Sequence, residues 1–253
     1  GLTAEINARQ ADTRLILWPE TAIPAFADQV ELQLLTPLAE QAAARGQDIL
    51  LGIPVREDSG DYFNAMLNIG ASGRASYSKR HLVPFGEFMP LDSLLRPLAE
   101  VFAIPMSSFT AGAAAQPLVI GGGQPLGISI CYEDAFGAEV RRALPAATLL
   151  VNASNDAWFG DSLAPHQHLE IARLRALESG RTLLRATNTG ISAVIAPDGR
   201  LTQTAPQFAP AILTAQVQPR SGATPYVRWG DAPVITLASA LLLLLATARY
   251  RHA

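Results

Sequence analysis

The chain consists largely of short apolar runs that end at Pro, Gly or polar residues. Apolar runs of about 4–8 residues between turn residues are typical of β-strands buried on both faces. Two pairs of runs flank tight turns, at 71–74 and 121–124, and each pair predicts a β-hairpin. Strands are predicted at 14–18, 48–55, 62–69, 75–77, 117–120, 125–130, 148–151, 182–187 and 191–196, with further strand-like runs up to 217.

Helical spacing of apolar residues appears between these runs. Apolar positions three or four residues apart predict helices over 28–45, 136–144 and 166–179. Pro37 is expected to kink or divide the first of them. Many short strands with a few interleaved helices favour an α/β sandwich with helices on its outer faces. Residues 1–217 are therefore predicted to form one catalytic domain.

The C-terminal part of the chain changes character. A Pro- and Gly-containing stretch, 218–231, predicts a linker, and 232–248 is a run of 17 residues without charge, followed by a short basic tail at 249–253. At about 1.5 Å per residue the run spans roughly 25 Å, which is the short end for a bilayer core of about 30 Å. We expect a transmembrane helix, with a buried core helix as the alternative. The arginines in the tail predict that the catalytic domain lies on the extracytoplasmic side of the inner (cytoplasmic) membrane.

Composition narrows the class of protein. The chain has 253 residues, of which 49% are hydrophobic and 16% charged, enough for one large core. The net charge is −3 and the two signs are mixed along the chain, so no nucleic-acid partner is expected. A single cysteine excludes an internal disulfide within this sequence.

That cysteine, Cys131, ends an apolar strand and precedes a predicted helix. Unpaired N–H groups and the positive end of the helix dipole favour a thiolate there and can hold an oxyanion. Glu20 can take the thiol proton, and Lys79 can lower the thiol pKa and donate to the oxyanion beside the backbone N–H of Tyr132. Glu87 can orient Lys79 or bind the leaving group. The set predicts a thiol acyl-transfer site.

Each of these residues has a plainer interpretation. A lone cysteine in an apolar run is more often a small buried side chain. A single Glu or Lys is more often a solvated surface residue. The prediction therefore depends on all of them occurring together at the ends of strands.

The surrounding sequence resembles the nitrilase (carbon–nitrogen hydrolase) superfamily, and within it the apolipoprotein N-acyltransferase branch. The resemblance covers nearly the whole chain. It rests on LWPETAIP, YSKRHLVPFGEFMPL, GISICYEDAF, NASNDAWFGDSLAPHQHLEIARLRALESGR, RATNTGISAVIAPDGR and the apolar C-terminal segment.

The resemblance implies a nitrilase-like α-β-β-α sandwich followed by a C-terminal transmembrane helix. It implies that Glu20 is the general base, Lys79 the transition-state stabiliser and Cys131 the acylated nucleophile. Matching positions with a supporting role are Glu87, Tyr132 and Glu133. Trp158 and Phe159 are candidates for lining an acyl pocket, although an aromatic loop packed on the core is almost as plausible.

The resemblance also implies substrates. A membrane phospholipid would give its acyl chain to Cys131, and the diacylglyceryl-cysteine of a lipoprotein would accept it on its N-terminal amine. No cofactor is expected. No metal is expected either, because His166 and His168 do not share a helix face and no ligand cluster accompanies them. The alternatives are a membrane-tethered amidase or nitrilase with the same Glu-Lys-Cys triad, and a silent scaffold of the same fold.

Two features lie outside this pattern. The apolar stretch 91–112 is interrupted by two prolines and is interpreted as a lid or as a helix–turn element packed on the core. Members of the branch carry a membrane bundle before the catalytic domain. We therefore expect this sequence to be part of a longer protein.

Overall fold

A computed structural model describes residue 5, residues 12–90 and residues 108–251, with the exception of the side chains of residues 248 and 251. Two β-sheets form the centre of the fold. The first sheet has the strand order β1-β2-β3-β4, in which β1 is parallel to β2 and the other pairs are antiparallel. Its strands are β1 (Leu15–Leu17), β2 (Asp48–Arg56), β3 (Tyr62–Gly70) and β4 (Ala75–Ser78).

The second sheet has six strands in the order β10-β9-β8-β7-β6-β5. The central strands β6, β7 and β8 are parallel, and the outer pairs are antiparallel. The strands are β5 (Val119–Gly121), β6 (Gln124–Ile130), β7 (Leu149–Asn155), β8 (Leu183–Asn188), β9 (Ala193–Ile195) and β10 (Leu201–Thr204).

Helices cover the outer faces of both sheets. The α-helices are α1 (Thr36–Ala44), α2 (Gly137–Arg141), α3 (Ala164–Ser179), α4 (Pro225–Trp229) and α5 (Ala232–Arg251). Short 3₁₀ turns occupy Ala27–Val30, Cys131–Ala135 and Ala157–Phe159, and a π-helical turn occupies Glu31–Leu35.

Alternation along the strands builds three apolar layers. On β2, Ile49 and Leu51 pack toward the helical layer, whereas Leu50 faces the second sheet. On β7, Val151 packs between the sheets and Leu150 packs against α3. Successive side chains of a strand point to opposite faces, so strands buried on both sides read as continuous apolar runs. The predicted α-β-β-α layering is confirmed.

The helices deviate from the sequence prediction in two places. The segment predicted as one helix over 28–45 is divided, and its regular α-helix begins only at Thr36, with Pro37 in the first turn, where a missing N–H is tolerated. The helix predicted over 136–144 is reduced to α2, after a 3₁₀ turn that begins at Cys131. In addition, α4 lies within the stretch predicted as a linker.

The predicted transmembrane helix is not supported. Among the residues that the structure describes, no helix is long and apolar enough to cross a membrane. The run 232–248 is helical within α5, but its uncharged part has only 17 residues, fewer than the roughly 20 that a bilayer core requires.

A substitution at Gly52 on β2 tests whether the segment after β1 lies directly against this strand. A Cβ atom at Gly52 would overlap backbone atoms of Pro19, Glu20 and Thr21. Gly52→Ala should therefore reduce the free energy of unfolding by about 1–3 kcal/mol, measured by urea denaturation. Gly86→Ala, whose new methyl would meet Val83 at an ordinary 3.6 Å, is the control. Equal stability of the two variants would contradict the close approach.

Candidate active site

The three predicted reactive side chains all follow the ends of strands. Glu20 follows β1, Lys79 follows β4 and Cys131 follows β6. Glu20 is 6% exposed and Lys79 only 1%, whereas Cys131 is partly exposed. The first two come from one sheet and the cysteine from the other. The site therefore lies where the two sheets meet.

The segment that carries Glu20 crosses directly over β2. The amide of Gly52 donates to the carbonyl of Pro19 at 3.2 Å, and the amide of Ile23 donates to the carbonyl of Gly52 at 3.2 Å. Thr21 between them has a φ of +48°. Only a residue without a side chain permits this approach, so Gly52 determines where the Glu20 carboxylate lies.

A buried charge cluster holds Glu20 and Lys79 together. The ammonium of Lys79 lies 2.9 Å from the carboxylate of Glu87 and 3.5 Å from Oε1 of Glu20. Asn64 on β3 donates from Nδ2 to Oε1 of Glu20 at 2.7 Å and to Oε1 of Glu87 at 2.9 Å. A cation and an amide thus separate two carboxylates that would otherwise repel each other.

Asn64 was missed in the sequence. It is 4% exposed within a strand whose buried residues are apolar except for Asn64 itself and Asn68. A polar side chain in such a strand has to find hydrogen-bond partners, and that was the available signal.

The second sheet also contacts Glu20. The backbone amide of Asn155, at the end of β7, donates to Oε2 of Glu20 at 2.8 Å. The side-chain amide of Asn188, at the end of β8, donates to the carbonyl of Glu20 at 2.8 Å. Both carboxylate oxygens therefore accept hydrogen bonds, and the group is fixed from both sides.

Cys131 occupies a strained turn. Its φ is +49°, in the left-handed region that residues with a side chain rarely adopt. Thr21, Phe85 and Thr189, which has a φ of +55°, share this conformation and flank the Glu20, Glu87 and Asn188 positions. Strain of this kind persists only where the surrounding structure enforces it, and it clusters at functional sites.

The pKa of Cys131 is raised to about 12, first by burial and then by the carboxylate of Glu20, while Lys79 lowers it. The expectation that the start of a helix would favour the thiolate is therefore wrong. The turn after Cys131 is 3₁₀ and α2 has only five residues, so a long helix dipole is missing there. At neutral pH the resting group is a thiol that needs a base.

Lys79 remains a cation despite its burial. Burial alone would lower the pKa of Lys79, but the negative charges of Glu20 and Glu87 and a thiolate at Cys131 raise it above its usual value. The site thus offers a protonated thiol, a carboxylate and a fixed ammonium. These are the parts needed to deprotonate a nucleophile and to stabilise an oxyanion.

Glu133 joins the loop after Lys79 to the strand before Cys131. It is 1% exposed, and its carboxylate accepts from the amides of Ile130 at 2.8 Å, Arg80 at 2.7 Å and His81 at 3.1 Å. The hydroxyl of Tyr77 donates to it at 3.0 Å. Burial raises the pKa of Glu133, and these hydrogen bonds oppose that effect.

Three predicted aromatic residues are exposed beside the site. Tyr132 makes edge contacts with Phe136 and with the ring of His81. Trp158 and Phe159, which follow the Asn155 position, are 81% and 47% exposed, so they do not pack into the core. In the described ranges, no group of three or more His, Cys, Asp or Glu side chains is arranged to hold a metal ion.

The four-layer sandwich, with a strained cysteine near a buried carboxylate and a buried lysine, agrees with the resemblance to the carbon–nitrogen hydrolases. The chain belongs to this family, whose model matches residues 2–226. It is 51% identical over 251 residues to the apolipoprotein N-acyltransferase of Methylococcus capsulatus, covering 98% of this chain and 49% of that protein. It is 45% identical over 236 residues to the enzyme of the same name from Nitrosomonas europaea, covering 93% and 48%. The chain thus spans about half the length of these relatives.

Solved structures with the same fold are more distant in sequence. A carbon–nitrogen hydrolase from Helicobacter pylori G27 superposes with a TM-score of 0.61 at 16% identity, covering 81% of this chain and 77% of that one. An amidase from Nesterenkonia sp. superposes with a TM-score of 0.58 at 21% identity, covering 92% and 86%. At this identity the likeness concerns the fold.

The charges around the thiol predict faster alkylation of Cys131 in Glu20→Gln than in the parent protein. Removing the carboxylate should lower the thiol pKa, so alkylation of Cys131 by iodoacetamide at pH 8 should become faster, about tenfold per unit of pKa. In the parent protein, the rate should rise about tenfold per pH unit between pH 7 and 10, since the thiol pKa lies near 12. Intact mass against time measures both rates.

Glu40→Gln, which removes an exposed carboxylate on α1, is the matched control and should leave the alkylation rate unchanged. A slower or unchanged rate in Glu20→Gln would show that Glu20 does not raise the pKa of Cys131.

Proposed function

We propose that this domain transfers an acyl chain from a phospholipid, through a thioester on Cys131, to the N-terminal amine of a diacylglyceryl-modified lipoprotein. The observation that carries the proposal is the strained backbone of Cys131 near the Glu20–Lys79–Glu87 cluster. It occurs in a chain about half identical to a protein named apolipoprotein N-acyltransferase.

In the first step Glu20 takes the proton of Cys131, and the thiolate attacks the ester carbonyl of the phospholipid. Lys79 and the backbone N–H of Tyr132 stabilise the oxyanion of the tetrahedral intermediate. The carbon–oxygen bond of the ester then breaks, and Glu20 returns the proton to the departing lysophospholipid. The product is a thioester on Cys131.

In the second step the amine of the lipoprotein attacks the thioester. Glu20 accepts a proton from the attacking nitrogen and returns it to the sulfur as the carbon–sulfur bond breaks. An amide and the free thiol result, which completes a ping-pong cycle. Glu87 and Asn64 hold the side chains of Lys79 and Glu20 in place during both steps. Glu133 holds the loop that begins with Lys79.

The proposal places the domain at the surface of the inner membrane, on the extracytoplasmic side. Support comes from α5, whose leucines between 237 and 245 are 56–73% exposed, an apolar surface typical of contact with lipid or another chain. Exposed Phe85, Trp158 and Phe159 offer apolar surface for an acyl chain beside the site.

Water in place of the amine would make the same site a hydrolase. The shared fold with an amidase from Nesterenkonia sp. keeps this candidate open, because both reactions pass through an acyl-enzyme. The second substrate decides between them.

Intact mass spectrometry after incubation with phospholipid vesicles tests the first step. We expect a fatty-acyl mass increase in the parent protein and none in Cys131→Ala. Adding a diacylglyceryl-cysteinyl peptide should remove the increase and produce the N-acylated peptide in equal amount.

Other results would redirect the assignment. An adduct from simple amides or esters but none from phospholipid would favour the hydrolase. Absence of an adduct from every donor would favour the silent scaffold and overturn the proposal.

The stretch 91–112 is proposed as a lid for lipid substrates. Residues 91–107, including Phe102, lie outside the described part, but the end of the stretch contacts the site. The amide of Phe109 donates to the carbonyl of Glu87 at 2.9 Å, and the amide of Gly112 donates to the carbonyl of Lys79 at 2.8 Å. The ring of Phe109 lies 5.2 Å from that of Tyr62.

Replacing Phe102 and Phe109 together by Ser should slow acylation from phospholipid by about tenfold or more, because apolar contacts to the acyl chain are lost. Alkylation of Cys131 by iodoacetamide should keep its rate. Leu32→Ser, at an 83% exposed position on the other side of the first sheet, serves as control. Unchanged turnover of phospholipid would reject the lid.

A further inference from the structure

A second buried charge cluster lies next to the main chain of Cys131, and it takes no part in the proposed acyl transfer. It contains His168 on α3, Asp134 in the turn after Cys131, Asp156 after β7, and Arg185 on β8. The side chains of both aspartates and of Arg185 are fully buried, and that of His168 is 11% exposed. Two cations and two carboxylates balance each other.

The contacts of His168 show its protonation state. Nδ1 lies 3.0 Å from Oδ1 of Asp156, and Nε2 lies 3.0 Å from Oδ1 of Asp134 and 3.3 Å from the main-chain carbonyl oxygen of Cys131. All three partners are acceptors, so both ring nitrogens have to carry a proton.

The rest of the cluster agrees with this assignment. The two guanidinium nitrogens of Arg185 donate to Oδ2 of Asp134 at 3.3 Å and to Oδ2 of Asp156 at 3.2 Å, and the hydroxyl of Ser154 donates to Oδ1 of Asp156 at 2.8 Å. Burial and Arg185 act to lower the pKa of His168, but its hydrogen bonds to the two aspartates raise that pKa to about 9. The imidazolium is thus the resting form at neutral pH.

We propose that His168 is a positioning residue for Cys131: as a fixed cation it ties the main-chain carbonyl of the nucleophile to the carboxylates of Asp134 and Asp156, and so sets the direction of the thiol. The inference rests on the proposed role of Cys131 as nucleophile. It gives His168 a structural charge, not a part in proton transfer.

The geometry at Cys131 explains why such a device is needed. Its backbone has a φ of +49°, a conformation that relaxes unless neighbouring groups hold it. The main-chain carbonyl of Cys131 also accepts a hydrogen bond from Nδ2 of Asn152 at 3.4 Å. The side-chain oxygen Oδ1 of Asn152 in turn accepts a hydrogen bond from Arg185. The two donors that reach the Cys131 carbonyl are therefore both aligned by the same cluster.

Two substitutions separate the hydrogen bond to Cys131 from the charge. His168→Gln places an amide near the Nε2 position, so it keeps a donor toward Cys131 but loses the charge. His168→Asn places its amide near the Nδ1 position, so it keeps a donor toward Asp156 but loses both the charge and the bond to Cys131. Both variants should unfold at lower temperature than the parent, to a similar extent.

The proposal predicts unequal effects on reactivity. Acylation of Cys131 by phospholipid should fall about 100-fold in His168→Asn and about tenfold or less in His168→Gln. The loss should appear in kcat and not in KM, because displacing the thiol slows the chemical step without changing how the site binds substrate. Arg181→Met is the matched control. Arg181 is 2% exposed and is bonded to the carbonyls of Ala147 and Gly222, away from Cys131, so its loss should lower the melting temperature but leave acylation within about threefold of the parent.

Iodoacetamide alkylation keeps the two proposals distinguishable, because it needs the thiol and no acyl chemistry. The same order of rates, with His168→Asn slower than His168→Gln, is expected with this reagent even if phospholipid acylates none of the proteins. Equal rates in the two His168 variants, or a loss in Arg181→Met as large as theirs, would overturn the positioning role.

Discussion

The carboxylate of Glu133 is the point on which the site depends, because it connects the two sheets directly. It accepts the amide of Ile130 at the end of β6 and the amides of Arg80 and His81 after β4. Without this contact, no other described hydrogen bond would join the strand before Cys131 to the loop that begins with Lys79. A buried carboxylate is costly to desolvate, and four hydrogen bonds to three amides and the Tyr77 hydroxyl offset that cost.

The charged side chains around Cys131 form two separate clusters. The first cluster contains Lys79, Glu20 and Glu87. The second cluster contains His168, Asp134, Asp156 and Arg185 and contacts the carbonyl of Cys131. The first cluster is chemically active in the proposal, since it moves a proton and stabilises an oxyanion. The second cluster is balanced and fixed. A site with both keeps a reactive group accessible without leaving its backbone free to relax.

The sequence predicts the parts of this site better than their connections. A strand buried on both faces appears in the sequence as a short apolar run, so the end of each run marks the end of a strand. The positions of Glu20, Lys79 and Cys131 at strand ends could therefore be predicted. Asn64 and Arg185 could not be assigned partners, since those partners come from strands far away in the chain. The direction of the thiol pKa was wrong for the same reason: the pattern shows the strand end but not how short α2 is or how near the Glu20 carboxylate lies.

The raised pKa of Cys131 also affects its survival between turnovers. Peroxide oxidises thiolates in preference to thiols, and oxidation beyond the sulfenic acid is not reversed by ordinary reductants. The sequence holds no second cysteine that could trap a sulfenic acid as a disulfide. A thiol that stays protonated in the resting site is therefore less exposed to oxidation by peroxide than a thiolate would be.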